Sequence, residues 1–204
     1  MAVTWLQDVS ELETLYKPAV PASISKVMDH LTPEYRAWIA AARFCVLSTV
    51  GPEGTDATPR GDDGPVVEMA DDRTLLLPDW AGNNRLDSLR NIIRDPRCSL
   101  MFLIPGNTNV VRVNGTGRVT ADEDMRARFD KDGKRPRTVL EVSVGEVYFQ
   151  CSKALMRARL WSGEAAPGVP TAGDFIKAAT GGAEGGADYD LAYEARAKTQ
   201  FWER

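Results

Sequence analysis

Phe44-Cys45-Val46-Leu47-Ser48-Thr49-Val50, followed by Gly51-Pro52-Glu53-Gly54 and then Ala57-Thr58-Pro59-Arg60-Gly61, is the stretch on which the fold turns. Apolar and β-branched residues fill the first run, Pro and Gly punctuate the second, and the third carries the chain back. The reading is a β-hairpin. Upstream the period is helical: Thr32-Pro33-Glu34 is a cap with Pro at the first helical position, and Tyr35, Trp38, Ile39 and Ala42 recur on one face.

Downstream of the hairpin, residues 66–69 and 74–77 read as short strands around an Asp71-Asp72 turn. The second of them is expected to stop at Pro78. A helix with Leu86, Leu89, Ile92 and Ile93 on one face should end before Pro96. Residues 98–104 are nearly all apolar, which predicts a strand buried on both faces. Strands over 110–119, 137–144 and 146–150, a polar helix over 122–132 and a short helix over 152–160 complete the pattern. Many short strands with closely spaced turns predict a mainly β protein, a small antiparallel barrel with helices over its ends. Three segments are expected: an N-terminal helical extension over 1–42, the barrel over 43–161, and a tail over 162–204. The tail has helices at 174–179 and 188–202 around the glycine cluster 181–186. No internal repeat is visible.

Composition narrows the function. The chain has 204 residues, 43% of them hydrophobic, and Lys plus Arg (25) against Asp plus Glu (29) leave a net charge of −4. That balance argues against a nucleic-acid partner. Cys45, Cys98 and Cys151 lie far apart, so neither a disulfide framework nor a zinc motif is expected, and a reducing cytoplasm is the natural setting. His30 is the one histidine, which disfavours His-rich metal sites, a Ser-His-Asp triad and paired haem ligands. The N-terminus lacks a basic n-region and an apolar core, so no signal peptide is read there. The longest apolar run falls far short of the roughly 20 residues a membrane span needs.

Leu76-Leu77-Pro78-Asp79-Trp80-Ala81-Gly82-Asn83-Asn84-Arg85-Leu86 is the segment richest in chemistry. A strand gives way to a Gly-containing turn and a helix that opens with Asn-Asn-Arg. Helix N-termini attract anions through unpaired N–H groups, and Arg85 adds a planar fork suited to phosphate. An N-capped helix with a surface arginine is the plainer alternative. Arg60, bracketed by Pro59 and Gly61 after Thr58, is either a solvated strand-end cation or a second anion ligand. Gln150, Ser152 and Lys153 gather donors where a strand meets a helix, unless this is a routine helix start. Arg112 interrupts an apolar strand, either as an edge residue or as a cation facing a ligand. Asp130-Lys131-Asp132-Gly133 lacks the distal acids of a calcium loop, and no Walker A or GxGxxG pattern is present.

The order of these segments resembles the pyridoxamine 5'-phosphate oxidase-like family of FMN-binding split β-barrel proteins. The resemblance runs from Phe44 to Trp161. It rests on Cys45-Val46-Leu47-Ser48-Thr49, Thr58-Pro59-Arg60-Gly61-Asp62, Leu77-Pro78-Asp79, Gly82-Asn83-Asn84-Arg85, Asp87-Ser88-Leu89-Arg90-Asn91, Asp95-Pro96-Arg97, Arg112-Val113-Asn114-Gly115 and Gln150-Cys151-Ser152-Lys153. It implies a six-stranded antiparallel split β-barrel that forms a homodimer with two FMN molecules at the subunit interface. Arg60, Asn84 and Arg85 would hold the phosphate, while Pro78 and Asp79 would pass beneath the flavin and ribityl chain. Gln150 and Ser152 would approach the flavin of the other subunit. Thr58, Gly61, Asn83, Arg112 and Lys153 complete the cofactor-binding set. The Arg-x-His motif of the vitamin-forming oxidase is absent, since the corresponding stretch is Met156-Arg157-Ala158-Arg159-Leu160-Trp161. The expected activity is therefore hydride transfer between flavin and a small molecule or nicotinamide donor, with no catalytic acid or base assigned. A non-catalytic FMN-binding or stress-related protein is the alternative, and a split barrel using deazaflavin or haem a third. The partner is expected to bury apolar strand ends around Val110–Val113.

Overall fold

The hairpin forms as read. In the computed structural model, which describes residues 2–202, β1 (Phe44–Gly51) and β2 (Gly54–Gly61) pair antiparallel with Phe44 opposite Gly61 and Gly51 opposite Gly54. Ahead of them lie α1 (Val9–Thr14), α2 (Pro21–Ser25) and α3 (Pro33–Ala41). The Thr32 hydroxyl caps α3 by accepting from the Tyr35 N–H. After the hairpin come β3 (Glu68–Met69), β4 (Thr74–Asp79), α4 (Asp87–Arg94), β5 (Arg97–Leu103), β6 (Val110–Thr120), α5 (Glu123–Ala127), β7 (Thr138–Gln150), α6 (Lys153–Ala158), α7 (Ala172–Ala179) and α8 (Ala187–Gln200).

The strands form one antiparallel sheet in the order β2-β1-β5-β6-β7-β4-β3. Seven strands stand where six were expected, because the two-residue β3 adds itself outside β4. The sheet is not closed by backbone pairing: β2 and β3 are its two edges. One face is lined by the core, with Cys45, Leu47, Leu100, Phe102, Val111, Val113, Leu140, Val142 and Val147 packed together. Leu31, Ile39 and Ala42, from the helical segment before the sheet, belong to the same cluster. Each fully buried large side chain contributes roughly 1.5–3 kcal/mol.

Several local expectations are corrected. β5 alternates: Cys98, Leu100 and Phe102 are buried but Met101 is 36% exposed, so one face only is covered. β4 does not stop at Pro78 but continues to Asp79, with Pro78 opposite Val139. There β3 covers only Leu75 and Leu76, so β4 has an open side at Pro78, where a strand tolerates a missing N–H. The two strands expected over 137–150 are one, β7. Gly145 is the extra residue of a bulge, because Glu146 faces Asn114 and Val144 faces Gly115. A Cβ on Gly115 would run into the Ser143 carbonyl oxygen, so the bulge needs glycine there. The polar helix shrinks to α5. On α4, Leu89 and Ile92 are buried while Leu86 and Ile93 are 44% and 73% exposed; the inward positions are taken instead by Ser88 and Asn91. The Asn91 amide donates to the Thr49 hydroxyl at 3.1 Å, and Gly51 leaves room for the Asn91 side chain.

The N-terminal segment is anchored at its end. Met28 and Val147 exchange backbone hydrogen bonds, and the Tyr35 hydroxyl accepts from the Phe149 N–H and donates to the Lys26 carbonyl. Residues 2–25 are exposed. In the tail, α7 carries a capping box between Thr171 and Asp174 and packs against α8 through Gly173, which sits beside Asp190 and the Gly186 carbonyl. Among the described residues no helix is long and apolar enough to cross a membrane.

Candidate functional site

The open sheet curls until its edges face each other, and a cleft of about 740 Å³ lies between them. Its walls come from β2, the end of β4, the loop over 80–86, the first turn of α4 and the start of β7. Thr58, Arg60, Gly61, Pro78, Asp79, Asn83, Asn84 and Arg85 all line it. The two arginines that the sequence could not bring together are thus on one cleft. Arg112, Gln150, Ser152 and Lys153 do not line it. They lie near the β6–β7 end, where the Arg112 guanidinium donates to the Gln150 amide oxygen at 3.3 Å and sits 5.3 Å from the Tyr148 ring centre.

Arg60 is held on three sides. One of its terminal nitrogens is ion-paired with the Asp79 carboxylate, the other donates to the Ser88 hydroxyl at 3.1 Å, and its backbone faces Cys45 in the sheet. Burial pushes the Cys45 thiol up to about 12, with the nearby Arg60 charge working the other way. The Arg60 Nε and the Thr138 hydroxyl, both on the cleft wall, are buried without a partner among the described residues. Buried polar groups left unpaired cost about 1–3 kcal/mol each, so such atoms beside a cleft mark where a ligand's acceptors would sit.

The helix start differs from the reading. α4 opens at Asp87, after a loop in which Asn84 and Leu86 adopt left-handed backbone (φ 59° and 62°). The Asn83 side chain accepts from the Arg85 N–H at 3.1 Å, a local turn that competes with helix formation. Leu86 has no such compensation and is a bulky residue in a region that favours glycine and asparagine, a strain of about 1–3 kcal/mol typical of functional loops. Arg85 points into solvent, 76% exposed, with its Nε 2.8 Å from Asp87. The cleft lining therefore holds Arg60, Arg85 and Arg137 against Asp56, Asp79 and Asp87. Cations and carboxylates are balanced, so Arg60 and Arg85 line the cleft with their charges already met by Asp79 and Asp87.

Sequence reading missed Ser88, Thr138 and Trp80. Ser88 was hidden as an ordinary first-turn residue, although it lies in the quoted Asp87-Ser88-Leu89 run. Trp80 donates through its indole N–H to Asp62 at 3.1 Å, a second side-chain link between the edges. Lys131 reaches the same Asp62 at 2.6 Å and also Asp63. Burial works against the Lys131 charge, but these two carboxylates overcome it and raise its pKa. Among the described residues no cluster of His, Cys, Asp and Glu is arranged to hold a metal ion.

Comparison with known proteins agrees with the sheet. Solved structures similar in fold include HupZ from Group A Streptococcus (TM-score 0.50, 16% identity, 59% of this chain and 99% of that one). General Stress Protein 26 from Bacillus anthracis str. Sterne (TM-score 0.42, 14%, 56% and 88%) and an F420 reductase (TM-score 0.41, 17%, 58% and 98%) are more distant in shape. No curated protein matches the chain. The family described as Pyridoxamine 5'-phosphate oxidase matches residues 31–151, from Leu31 in the core to the end of β7 and the cysteine after it, and the chain belongs to that family.

Proposed function

We propose that the chain binds FMN in the cleft between its sheet edges and serves as an oxidoreductase for a small molecule. The observation that carries this reading is the pair of orphaned buried groups, Arg60 Nε and Thr138 Oγ1, on the wall of a 740 Å³ cleft. That volume falls within the roughly 300–1,000 Å³ of small-molecule sites. The donor set fits a phosphate and a ring with acceptor atoms: Arg60, the Ser88 hydroxyl, and the amides of Asn83 and Asn84. When bound, the flavin supplies hydride and electron transfer.

What the chain supplies is placement. Arg60, fixed by Asp79 and Ser88, presents its remaining N–H groups at constant geometry. Arg85 is free to swing from Asp87 to an entering phosphate, an exchange between exposed partners that costs little. Pro78 leaves the end of β4 smooth, so a flat group can lie along it. Gln150, Ser152 and Lys153 reach a cofactor only when a second copy brings them to its cleft, so the working form is a homodimer with two sites.

The absorption spectrum of the purified protein and quenching of FMN fluorescence on titration test the cofactor. A colourless protein with no saturable quenching defeats the proposal. Anaerobic addition of NADH or NADPH to the loaded protein then separates a reductase, which bleaches, from a passive FMN-binding protein, which does not.

A further inference from the structure

The N-terminal arm carries an apolar surface that its own chain does not cover. Trp5, Val9, Leu12, Leu15 and Tyr16 are all exposed, Trp5 and Tyr16 at 74% and 72%. Among the described residues, every hydrogen bond made by residues 5–16 stays within the arm. The arm is also acidic: Asp8, Glu11 and Glu13 precede its first basic residue, Lys17. None of the three meets a cation. Asp8 caps α1, Glu11 accepts from the Gln7 N–H, and Glu13 is exposed. A surface of the opposite sign follows β7. Residues 151–161 hold Lys153, Arg157 and Arg159 and no acid. Arg159 is ion-paired with Glu164, but Lys153 and Arg157 have no carboxylate partner among the described residues. Met156 and Leu160 are exposed in the same short stretch. The Trp161 indole N–H donates to the Asn107 carbonyl at 2.7 Å, which fixes the far end of this surface.

We propose that the N-terminal arm of one copy docks on α6 of a second copy, and the second copy's arm on the first. Charge argues for the match, since unpaired acids on the arm meet unpaired cations on α6, with apolar side chains between them on both surfaces. The same acids disfavour a lipid surface, because anionic headgroups recruit basic helices. Position argues for exchange. The arm is rooted at the β7 end of the sheet, where Met28 pairs with Val147 and the Lys26 ammonium sits 4.4 Å from the Phe149 ring centre. α6 begins at that same end, yet among the described residues no hydrogen bond or ion pair joins residues 2–25 to residues 151–161 of the same chain. A two-fold axis near this end brings each arm to the other copy's α6 and satisfies both surfaces twice. Trp5 and Tyr16 alone would bury on the order of 300 Å² per arm. Two exchanged arms thus supply a substantial part of the roughly 800 Å² per partner of a stable interface. The inference rests on the homodimer of the proposed function and not on its cofactor.

Sedimentation of the full-length protein over a concentration series tests it, with two variants whose changes all lie on exposed residues. Glu11→Lys with Glu13→Lys reverses the arm, and Ala154→Glu with Arg157→Glu reverses α6. Each should dimerise at least about tenfold more weakly than the unaltered chain, with its melting curve unchanged. Mixed one to one, the two variants should pair with each other to within about threefold of the unaltered affinity. In that mixture the reversed arm meets the reversed α6, and the unaltered arm meets the unaltered α6. Weak pairing in the mixture overturns the exchange, since an arm docked on its own chain is not repaired by a partner. Variants that dimerise like the unaltered chain overturn the docking and leave the homodimer standing. An unaltered chain that stays monomeric at micromolar concentration defeats both.

Discussion

Arg60 and Asp79 form an ion pair between strands that are far apart in the sheet: β2 is one edge, and β4 at Asp79 borders the open side of the other. With the Trp80–Asp62 hydrogen bond, side chains close what backbone pairing leaves open. The two side chains of the pair are 19% and 15% exposed, so loss of one partner leaves a largely buried charge. That costs about 3–5 kcal/mol in a dry interior and less here, about 1–3 kcal/mol, because some water remains. Asp79→Asn should lower the unfolding free energy by this amount in urea titration. Arg60→Met with Asp79→Leu should recover more than half of the loss, since two apolar groups need no partner. An unchanged midpoint in the single variant would show that the edges are held by something else.

The balanced charges of the cleft give two opposite expectations for FMN. Arg85→Ala should weaken FMN by about two- to tenfold and riboflavin hardly at all, the size being limited by the exposure of Arg85. Asp87→Asn should do the reverse and tighten FMN by about two- to fivefold, because Arg85 loses its competing carboxylate and the α4 N-terminus loses a negative charge. Fluorescence titration with both ligands reads these changes. Equal losses for FMN and riboflavin in Arg85→Ala would remove Arg85 from the phosphate.

Glycine matters differently at two positions. At Gly51 a Cβ would strike the Asn91 side chain, which can be removed; at Gly115 it would strike the Ser143 backbone, which cannot. Gly51→Ala should cost about 1–3 kcal/mol. Adding Asn91→Ala to it should cost less than the two single changes summed, because Asn91→Ala removes the clash as well as the bond to Thr49. No single side-chain deletion should rescue Gly115→Ala. Urea denaturation of Gly51→Ala, Asn91→Ala, their double, and Gly115→Ala alone and with Ser143→Ala checks both statements.

The hairpin, the capped α3 and the end of α4 were legible because their signals are local: turn residues, a cap and a proline just past the helix. The nearly continuous apolar run over 98–104 misled, since a half-exposed strand can carry Met101 outward as readily as a buried one. Gly145 looked like a strand break because a bulge and a break use the same residue. Arg60 and Arg85 could be nominated from Pro, Gly and Asn neighbours, but the Asp79 counter-ion of Arg60 could not, because that pairing depends on how far the sheet curls. The Trp80–Trp202 contact joins residues more than a hundred positions apart, and no local pattern announces it.

Acid should loosen the contact beside the N-terminal anchor only at low pH, between the ordinary carboxylate range and about 2. The Asp29 carboxyl is held down at about 2, against 3.8 for a free side chain, by hydrogen bonds from His30 and Arg73. Its folded value lies below its unfolded one, so its contribution is present above the unfolded value and is lost as pH falls through the folded one. NMR titration should place the Asp29 midpoint near 2, and Arg73→Ala should move it up. Asp29→Asn should flatten the dependence of stability on pH over that window. A midpoint at the ordinary value in the intact protein would show that the pairs with His30 and Arg73 do not persist in solution.

Assembly is the last expectation, and the structure moves the surface on which it rests. Val110, Val111 and Val113 were expected to be covered by a partner, yet they are 4%, 2% and 0% exposed within the chain itself, because α3 and the strands beside β6 already bury them. The outward positions of the same strands are available instead. Val46, Met101, Arg112 and Tyr148 face one another across β1, β5, β6 and β7, and all keep solvent exposure. We expect a two-fold axis through this row, which would use one surface twice and turn Gln150, Ser152 and Lys153 toward the neighbour's cleft. Met101→Glu should then weaken the dimer, since the axis would bring two carboxylates together, while leaving the monomer folded because Met101 lies outside the core. FMN should oppose the splitting by mass action, holding holoprotein together at dilutions where apoprotein dissociates. Sedimentation of both forms over a concentration series measures this. A holoprotein that is monomeric at micromolar concentration with full flavin occupancy would refute the shared site and remove Gln150, Ser152 and Lys153 from it.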